Sequence, residues 1–355
     1  MIKYVPFLKF KQNEIQGVAK LDAGILGQIV PLYDVPLSKK NMTEEDIDSR
    51  IRIACEHLDD SNEDGVNYPF FIDNFDVDDT IDLAGIPQYR EILNRLAAYR
   101  VVPVLAFDRH ADHNSAALDF ITRKRGDIGI RLQIPDIESY ALTKRNLLAI
   151  WPAIQAAQPT NIILLVDCRV VGDEVDLHRK IERFLAAFRQ DFVVRATVVT
   201  GSVIPGNIAD LIGTNEIKNV LRKEYRLWRS LQAVQGLDDI LLGDYCVVSP
   251  EYSDIDLLPE LMGGVATPKA FYAYDDQFYI ARGRRFRTHG YQQYFGIADS
   301  IVGQVFYRGA PYSYGDDYVH ERSHLSAARP AKGGSPSTWI RALTAAHITF
   351  IVNTI

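Results

Sequence analysis

The sequence is poor in cysteine and has no excess of basic residues. Its 355 residues include three cysteines, Cys55, Cys168 and Cys246, which form no CxxC pair and no zinc-binding spacing. A sparse, odd count is typical of a reducing compartment. The formal net charge of -7 argues against a broad nucleic-acid-binding surface, although it leaves room for a local basic patch. We therefore do not expect nucleic acid as a partner.

Long apolar runs are also missing. None reaches the roughly 18 residues that a membrane-spanning helix needs. The N-terminal stretch is interrupted by Lys3, Lys9 and Lys11, unlike the apolar region of a signal peptide. We therefore predict a cytoplasmic protein with no membrane contact. The closing residues 345–355 are apolar but short, and we expect them to form a final strand or a packing segment.

Short apolar runs alternate with helix-like stretches along residues 1–250. The runs predicted as strands are Tyr4–Lys11, Gln28–Val35, Tyr68–Asn74, Val101–Asp108, Ile128–Ile134, Ile162–Cys168, Val193–Gly201 and Leu241–Val248. Amphipathic patterns predict helices at Glu45–Leu58, Gln88–Ala98, Ile137–Gln155, Asp176–Arg189 and Leu221–Val234. This alternation implies a parallel sheet with crossover helices. Eight strands favour an α/β fold of the (β/α)8 TIM-barrel type over an open α/β sheet.

Residues 251–355 differ in composition and are rich in aromatic side chains. Lys269–Arg282 alternates like a β-hairpin around a turn at Asp275 and Asp276, and His289–Tyr307 has a helical pattern. Ala327–Ser337 is rich in Gly, Pro, Ser and Ala, which is typical of a loop. No independent core is evident. We expect a C-terminal extension packed on the barrel rather than a second domain.

The predicted strands end in polar residues, and in a barrel the C-terminal strand ends and the loops after them form the functional face. Anion-binding candidates are Lys9, Lys11, Arg131, Gln133, Arg169, Ser202 and Arg282. Lys11, Asp34, Asp73 and Asp167 are the candidate catalytic residues, with the carboxylates as base or divalent-metal ligands. The alternative is a structural ion network that closes the top of the barrel, because buried charges need partners.

Other motifs indicate structure more than chemistry. Residues 200–207, TGSVIPGN, follow a strand and could bind phosphate, but capping by Ser202 or Asn207 explains them as well. The motif DRHADHN reads as a solvated loop rather than a metal site around His110 and His113. His320 and His324 lack the HExxH pattern of a metalloprotease. We predict no metal site, and no dinucleotide, P-loop or GxSxG signature names a cofactor or reaction.

Arg282–Arg287 is the strongest local basic cluster, and aromatic residues flank it. Arginines beside aromatic rings can bind a nucleic-acid backbone and stack bases. The acidic composition favours a structural interpretation. In it the aromatic residues pack on the barrel and the arginines pair with acidic loops.

Several short segments are spread along the chain: YVPFLKFKQNE, VVTGSVIP, GDYCVVSPEY, IARGRRF, PYSYGDDYVHERSH and STWIRALTAAHITF. Together they resemble the uncharacterised "beta protein" family, which is named for a bacteriophage protein, and the likeness covers essentially the whole chain. The resemblance implies a barrel-like α/β architecture and a phage or mobile-element context, including antiphage defence. It brings no established activity. The motif residues it adds to the candidates are Glu14, Gly283, Asp316 and Trp339.

Two functional hypotheses follow, and neither establishes that the protein is an enzyme. One is a barrel that binds or acts on an anionic, for example phosphorylated, small molecule at the C-terminal rim. It predicts that the polar strand ends converge at a concave mouth. The other is a non-enzymatic phage or defence component that uses the aromatic, arginine-rich extension to bind a protein partner. It predicts paired charges in a filled mouth.

Overall fold

Eight parallel strands close into a barrel in the computed structural model, which describes residues 2–37, 41–63, 65–252 and 266–355. The barrel strands are β1 (Tyr4–Lys9), β2 (Leu32–Asp34), β3 (Phe70–Asp73), β4 (Val101–Leu105), β5 (Ile128–Gln133), β6 (Ile162–Val170), β7 (Ala196–Ser202) and β9 (Leu241–Asp244). β9 closes the barrel by pairing with β1, where Pro6 lies opposite Asp244. The predicted (β/α)8 architecture is confirmed, and each predicted strand overlaps one barrel strand.

Along each strand, alternate side chains face the inside of the barrel and the helices outside it. One set, which includes Val5, Phe7, Leu32, Phe71 and Leu165, forms a separate apolar cluster inside the barrel. The intervening residues, such as Tyr4 and Leu8, belong to the larger core between the strands and the helices. This period of two explains why the strands read as continuous apolar runs, because both faces are buried.

Helices cover the outside of the barrel and build part of the C-terminal region. They are α1 (Gln12–Ala19), α2 (Ala23–Leu26), α3 (Glu44–Glu63), α4 (Gln88–Arg95), α5 (Ala111–Lys124), α6 (Ile134–Glu138), α7 (Tyr140–Ala157), α8 (Glu174–Asp191), α9 (Lys223–Gln232), α10 (Phe286–His289), α11 (Gln293–Val302), α12 (Tyr314–Glu321) and α13 (Pro336–Thr354). None of the helices in the described ranges is long and apolar enough to cross a membrane.

The last helix, α13, takes the place of the eighth barrel helix. It packs on α1 and β1, and the Lys3 ammonium donates to the Val352 and Ile355 carbonyls near its end. The expected final strand at residues 345–355 is therefore wrong, whereas the alternative of a packing segment holds. Most of α13 is buried on all sides, so its sequence shows no amphipathic period that would mark a helix.

A three-stranded antiparallel sheet forms beside the barrel from β8 (Glu216–Leu221), β10 (Lys269–Tyr274) and β11 (Gln277–Arg282). The predicted hairpin is present, with its turn at Asp275 and Asp276. β8 lies within the stretch before residue 250, yet it pairs with β11 along its whole length. The helix predicted from Leu221 thus begins at Lys223, and a strand that the sequence reading missed precedes it.

The chain order shows how this second sheet is connected. β8 is inserted between β7 and its helix α9, while β10, β11 and α10–α12 are inserted between β9 and α13. We call the sheet with α10–α12 the inserted lobe. Its core includes Phe271, Ile280, Tyr294 and Trp339, and it continues into barrel loops at Val203 and Val247. The division at residue 250 stays a prediction.

Gly315 tests the contact between the inserted lobe and α13. A Cβ at this position would lie 2.0 Å from the Ala342 carbonyl oxygen of α13. We expect Gly315→Ala to lower the free energy of unfolding by roughly 1–3 kcal/mol, because backbone on a packed helix cannot move away cheaply. Urea unfolding followed by circular dichroism measures the change.

The control is Gly296→Ala on α11, where a Cβ meets nothing within 4 Å. It should stabilise the protein by roughly 0.5–1 kcal/mol, as expected for replacing glycine inside a helix. Equal effects of the two substitutions would show that α12 and α13 do not approach this closely.

Candidate functional site

Polar side chains from adjacent strands reach the C-terminal mouth of the barrel at the same level. Lys9 pairs in register with Asp34, and Asp34 pairs with Asp73 on the next strand. On the opposite side Gln133 lies opposite Asp167. The structure therefore brings these sequence-predicted residues to one rim, although their proposed roles stay predictions.

Arg131 is the centre of the mouth and is 1% exposed. Its Nη1 donates to Asp34 at 2.6 Å and to Asp73 at 2.8 Å, and its Nη2 donates to Asp167 at 2.6 Å. Tyr245, from the loop after β9, donates to the same Asp167 oxygen at 2.7 Å. A planar guanidinium suits this task because its five donors spread in fixed directions. We call Arg131 and its three aspartates the inner cluster.

The three carboxylates of the inner cluster have pKa values that are shifted in different directions. Burial opposes ionisation of Asp73, but the charges of Arg109 and Arg131 outweigh it and hold the pKa of Asp73 below its ordinary value. Burial likewise opposes ionisation of Asp167, and Arg131 and Arg169 hold its pKa low. For Asp34, burial outweighs the attraction of Arg131, so its pKa is raised. Asp34 is thus the member of the three that gains a proton most readily.

A second group, which we call the outer rim, lies around Asp76 and consists of Lys9, Lys11 and Arg169. The Lys9 ammonium lies 2.5 Å from an Asp76 oxygen, and the Arg169 guanidinium lies 3.5 Å from the other. Both cations also donate to the Pro250 carbonyl. Lys11 is half-buried, and burial lowers its pKa. Two cations therefore contact one carboxylate, and Lys11 follows Lys9 in the sequence after one intervening residue.

Local backbone and packing hold Arg169 in position. β6 has a bulge between Asp167 and Val170, and Arg169 adopts a positive φ of 52°, which is rare for a residue with a side chain. Its amide donates to Asp167 at 2.9 Å. The Phe75 ring lies 4.6–4.8 Å from the guanidinium carbons of Arg109, Arg131 and Arg169, so three cations contact one aromatic face or edge.

Sequence reasoning missed Phe75, Asp76, Arg109 and Tyr245. Each follows a predicted strand within a few residues or forms its last part, so the loops after the strands carried the signal. Arg109 bridges Asp73 and Asp108 across the rim, at 2.8 and 2.5 Å.

Three predicted ligand-binding residues have partners in the local structure, and their proposed ligand-binding roles stay predictions. Gln133 begins α6 and donates to Asp108 at 3.3 Å. The Ser202 hydroxyl accepts from the Ile204 amide at 3.0 Å, which is a turn rather than an open anion site. Arg282 lies at the end of β11 and donates to Thr267 and the Ile212 carbonyl, in the inserted lobe rather than at the mouth.

The histidine motifs also have structural explanations. His113 is not in a solvated loop as expected. It lies in α5, stacks on Tyr89 at 3.8 Å and contacts the Val104 carbonyl at 2.8 Å, and burial lowers its pKa to about 4. His320 lies in α12, but His324 lies beyond the end of that helix and contacts Asp299 instead.

Comparison with known families decides where this barrel belongs. The family described as Beta protein matches residues 4–353, nearly the whole chain. The chain belongs to the Beta protein family. No curated protein matches it significantly. The family resemblance read from the sequence is confirmed.

A second buried charge network of this Beta protein lies outside the barrel wall, around Asp244. Asp244 accepts from Arg222 at 2.9 Å and from His347 of α13 at 2.8 Å, and it also bonds to the Tyr4 hydroxyl. Burial lowers the pKa of His347, so we assign a neutral ring that donates through Nε2. Burial opposes ionisation of Asp244, but the hydrogen bond from His347 and the charge of Arg222 outweigh it and keep its pKa low.

Asp244, Cys246 and His347 place three potential metal-ligand atoms within 4.8 Å of one another. The Asp244 oxygen that faces His347 already accepts from the Arg222 guanidinium. A fixed positive charge on the same oxygen opposes a cation there. We therefore assign this group to holding α13 against β9 rather than to metal binding.

Glu14 gives a pH-dependent test of the region behind Lys11. It is buried on α1, its Oε2 has no partner among the described residues, and burial raises its pKa to about 7. The folded protein therefore loses stability as pH rises from about 4.5 to 7, because a carboxylate must then ionise in the core. Glu14→Gln should raise the unfolding free energy at pH 8 by about 2–3 kcal/mol.

At pH 4.5 the same substitution should have a much smaller effect, because the wild-type carboxyl is then mostly protonated when folded. Urea unfolding at both pH values provides the comparison, with the exposed Glu45→Gln as control. A gain that does not depend on pH would contradict a buried, ionising Glu14.

Removal of Arg131 should be the most damaging single change at the mouth. Arg131→Met leaves three buried carboxylates without their shared partner, which should cost about 3–5 kcal/mol at pH 7. Arg131→Lys should recover little, because one ammonium cannot reach all three in the same geometry. Thermal unfolding measures both, against the exposed Arg125→Met. A loss no larger than that of the control would mean that the inner cluster is not formed.

Proposed function

We propose that this Beta protein binds a small anionic molecule, with phosphate or carboxylate groups, at the outer rim. The observation that carries the proposal is the positive charge there, where Lys9 and Arg169 share the Asp76 carboxylate and Lys11 lies two residues after Lys9. The Arg169 Nη1 is buried and has no hydrogen-bond partner among the described residues. Buried donors normally have partners, so an unpaired one favours a ligand acceptor.

The first turn of α1 supports the same location. The helix begins at Gln12, directly after Lys11, and the Lys11 side chain does not cap its first amides. Free amides at a helix start and the helix dipole both favour an anion. Lys11 has no ion-pair partner within the described ranges, so its charge is available to a ligand.

The inner cluster supports this binding site rather than acting on the ligand. Asp34, Asp73 and Asp167 are completely buried and bonded to Arg131. A catalytic base must come within hydrogen-bonding distance of the proton it removes. We therefore propose binding as the function and assign these aspartates to fixing Arg131, Arg109 and Arg169.

A second candidate is a non-enzymatic interaction protein of a phage or antiphage-defence system in the cytoplasm. Its specific support is the filled centre of the mouth, where each inner-cluster charge has a partner and Phe75 covers Arg131. The inserted lobe would then contact a protein partner. Under this function, substitution of Lys11 would leave the plating efficiency of phage on the host unchanged.

Titration calorimetry with inorganic pyrophosphate at low salt tests the binding site. The wild-type protein should bind saturably, and Lys11→Ala should weaken binding about tenfold, since a charge-assisted hydrogen bond contributes about 1.4 kcal/mol or more. The control is Lys124→Ala, an exposed lysine at the end of α5, which should bind like wild type. No binding by the wild type, or equal binding by both variants, would refute the outer-rim site.

A further inference from the structure

The charge of this protein is divided unevenly along its sequence. Residues 277–355 contain nine Lys and Arg against four Asp and Glu, a net charge of +5. The first 276 residues carry 30 Lys and Arg against 42 Asp and Glu, a net charge of -12. The basic excess thus lies after the hairpin turn, whereas residues 251–355 as a whole contain ten Lys and Arg and ten Asp and Glu. Such asymmetry between parts of a chain is typical of proteins that bind polyanions.

Three arginines of the basic cluster are exposed, in contrast to Arg282. Arg284 and Arg285 directly precede α10 and Arg287 lies in its first turn, and none has a carboxylate within ion-pair distance in the part of the chain that the structure describes. Within the described ranges, the Arg284 guanidinium contacts the His289 ring nitrogen at 3.4 Å. The expected pairing of these arginines with acidic loops is therefore not seen within that part.

An exposed aromatic ring lies beside these arginines. Tyr291 is 51% exposed and stacks on the buried Phe286 with ring centroids 4.4 Å apart. Phe286 contacts Tyr294, which stacks on Trp339 at 4.8 Å. Tyr291 is thus the outer member of a packed series of rings that extends from the core of the inserted lobe. Packing fixes its position, so little ordering is needed when another ring stacks on it.

The neighbouring segment adds a further cation. Gly333 lies so close to the Tyr291 carbonyl that a Cβ would be 2.9 Å away. Lys332 therefore belongs to the same surface, and it is exposed. We call Arg284, Arg285, Arg287, Tyr291 and Lys332 the arginine surface.

We propose that the arginine surface binds single-stranded nucleic acid. The arginines and Lys332 contact successive phosphates, and a base stacks on Tyr291. The acidic barrel does not prevent this, because salt screens charges beyond about 8–10 Å at physiological ionic strength. The site is separate from the outer rim and does not depend on the anion-binding function proposed there.

Fluorescence anisotropy with a labelled mixed-sequence DNA oligonucleotide of about 20 nucleotides, and with its RNA equivalent, tests the proposal. Binding should weaken with salt with a log–log slope near -3, as expected for about four phosphate contacts on a single strand. The triple variant Arg284→Ala, Arg285→Ala, Arg287→Ala should bind at least tenfold more weakly. Thermal unfolding should be nearly unchanged, because these side chains are exposed.

The matched control replaces three other exposed arginines, Arg123, Arg145 and Arg179, with alanine. It makes the same change in net charge and should retain wild-type affinity. Tyr291→Ala should reduce affinity severalfold without changing the salt slope, and Tyr291→Phe should restore it. Stacking, unlike an ion pair, does not release counterions.

Three results would overturn the proposal. One is no binding by the wild type at 20 mM salt. Another is an equal loss of affinity in the two triple variants. The last is a combination of two observations: polyglutamate competes as strongly as unlabelled oligonucleotide, and Tyr291→Ala has no effect on affinity. This combination would assign the surface to binding an acidic protein segment instead.

Discussion

The mouth of the barrel depends on the neutralisation of three carboxylates by one guanidinium. Asp34, Asp73 and Asp167 come from β2, β3 and β6, and the closed sheet forces them toward one point. Without Arg131 they would repel one another in a region that water does not reach. Because Arg131 bonds to all three, the barrel can end in charged residues and remain packed.

The mouth has two layers with different electrostatic properties. In the inner cluster three carboxylates share one arginine, and burial raises the pKa of Asp34. At the outer rim the cations outnumber the carboxylate. Phe75 and Arg169 lie between the layers, and the bulge of β6 directs Arg169 outward from the same strand that supplies Asp167. The buried, paired charges of the inner cluster can therefore hold the cations of the outer rim, which have fewer partners, in fixed positions.

The sequence predicted the barrel well because its strands are buried on both faces and their ends are polar, a pattern that few other folds share. It predicted residues of the inner cluster for the same reason, since alternate side chains at neighbouring strand ends must converge.

The sequence-based prediction failed where burial removes the periodicity of the pattern. α13 is surrounded by protein and rich in β-branched residues, so it resembled a strand. β8 is a short, mostly exposed edge strand whose partner β11 lies more than 50 residues away, and local patterns cannot show such pairing. The pairing of each charge was also beyond the sequence, because it depends on loop paths such as the one that brings Arg109 to Asp73.

Asp244 and Tyr245 explain how the inserted lobe and the mouth are held by the same strand end. The two residues are adjacent, so their side chains lie on opposite sides of the barrel wall. Tyr245 points inward and bonds to Asp167 and Arg131, whereas Asp244 points outward and bonds to Arg222 and His347. Arg222 follows β8 of the inserted lobe and His347 lies in α13, the last barrel helix, so one carboxylate joins the lobe to that helix. Phe278 of the hairpin lies against both the Arg222 guanidinium and the His347 ring. The lobe is therefore attached to the barrel by a buried, directional network, and its arginine surface has a fixed place on the molecule.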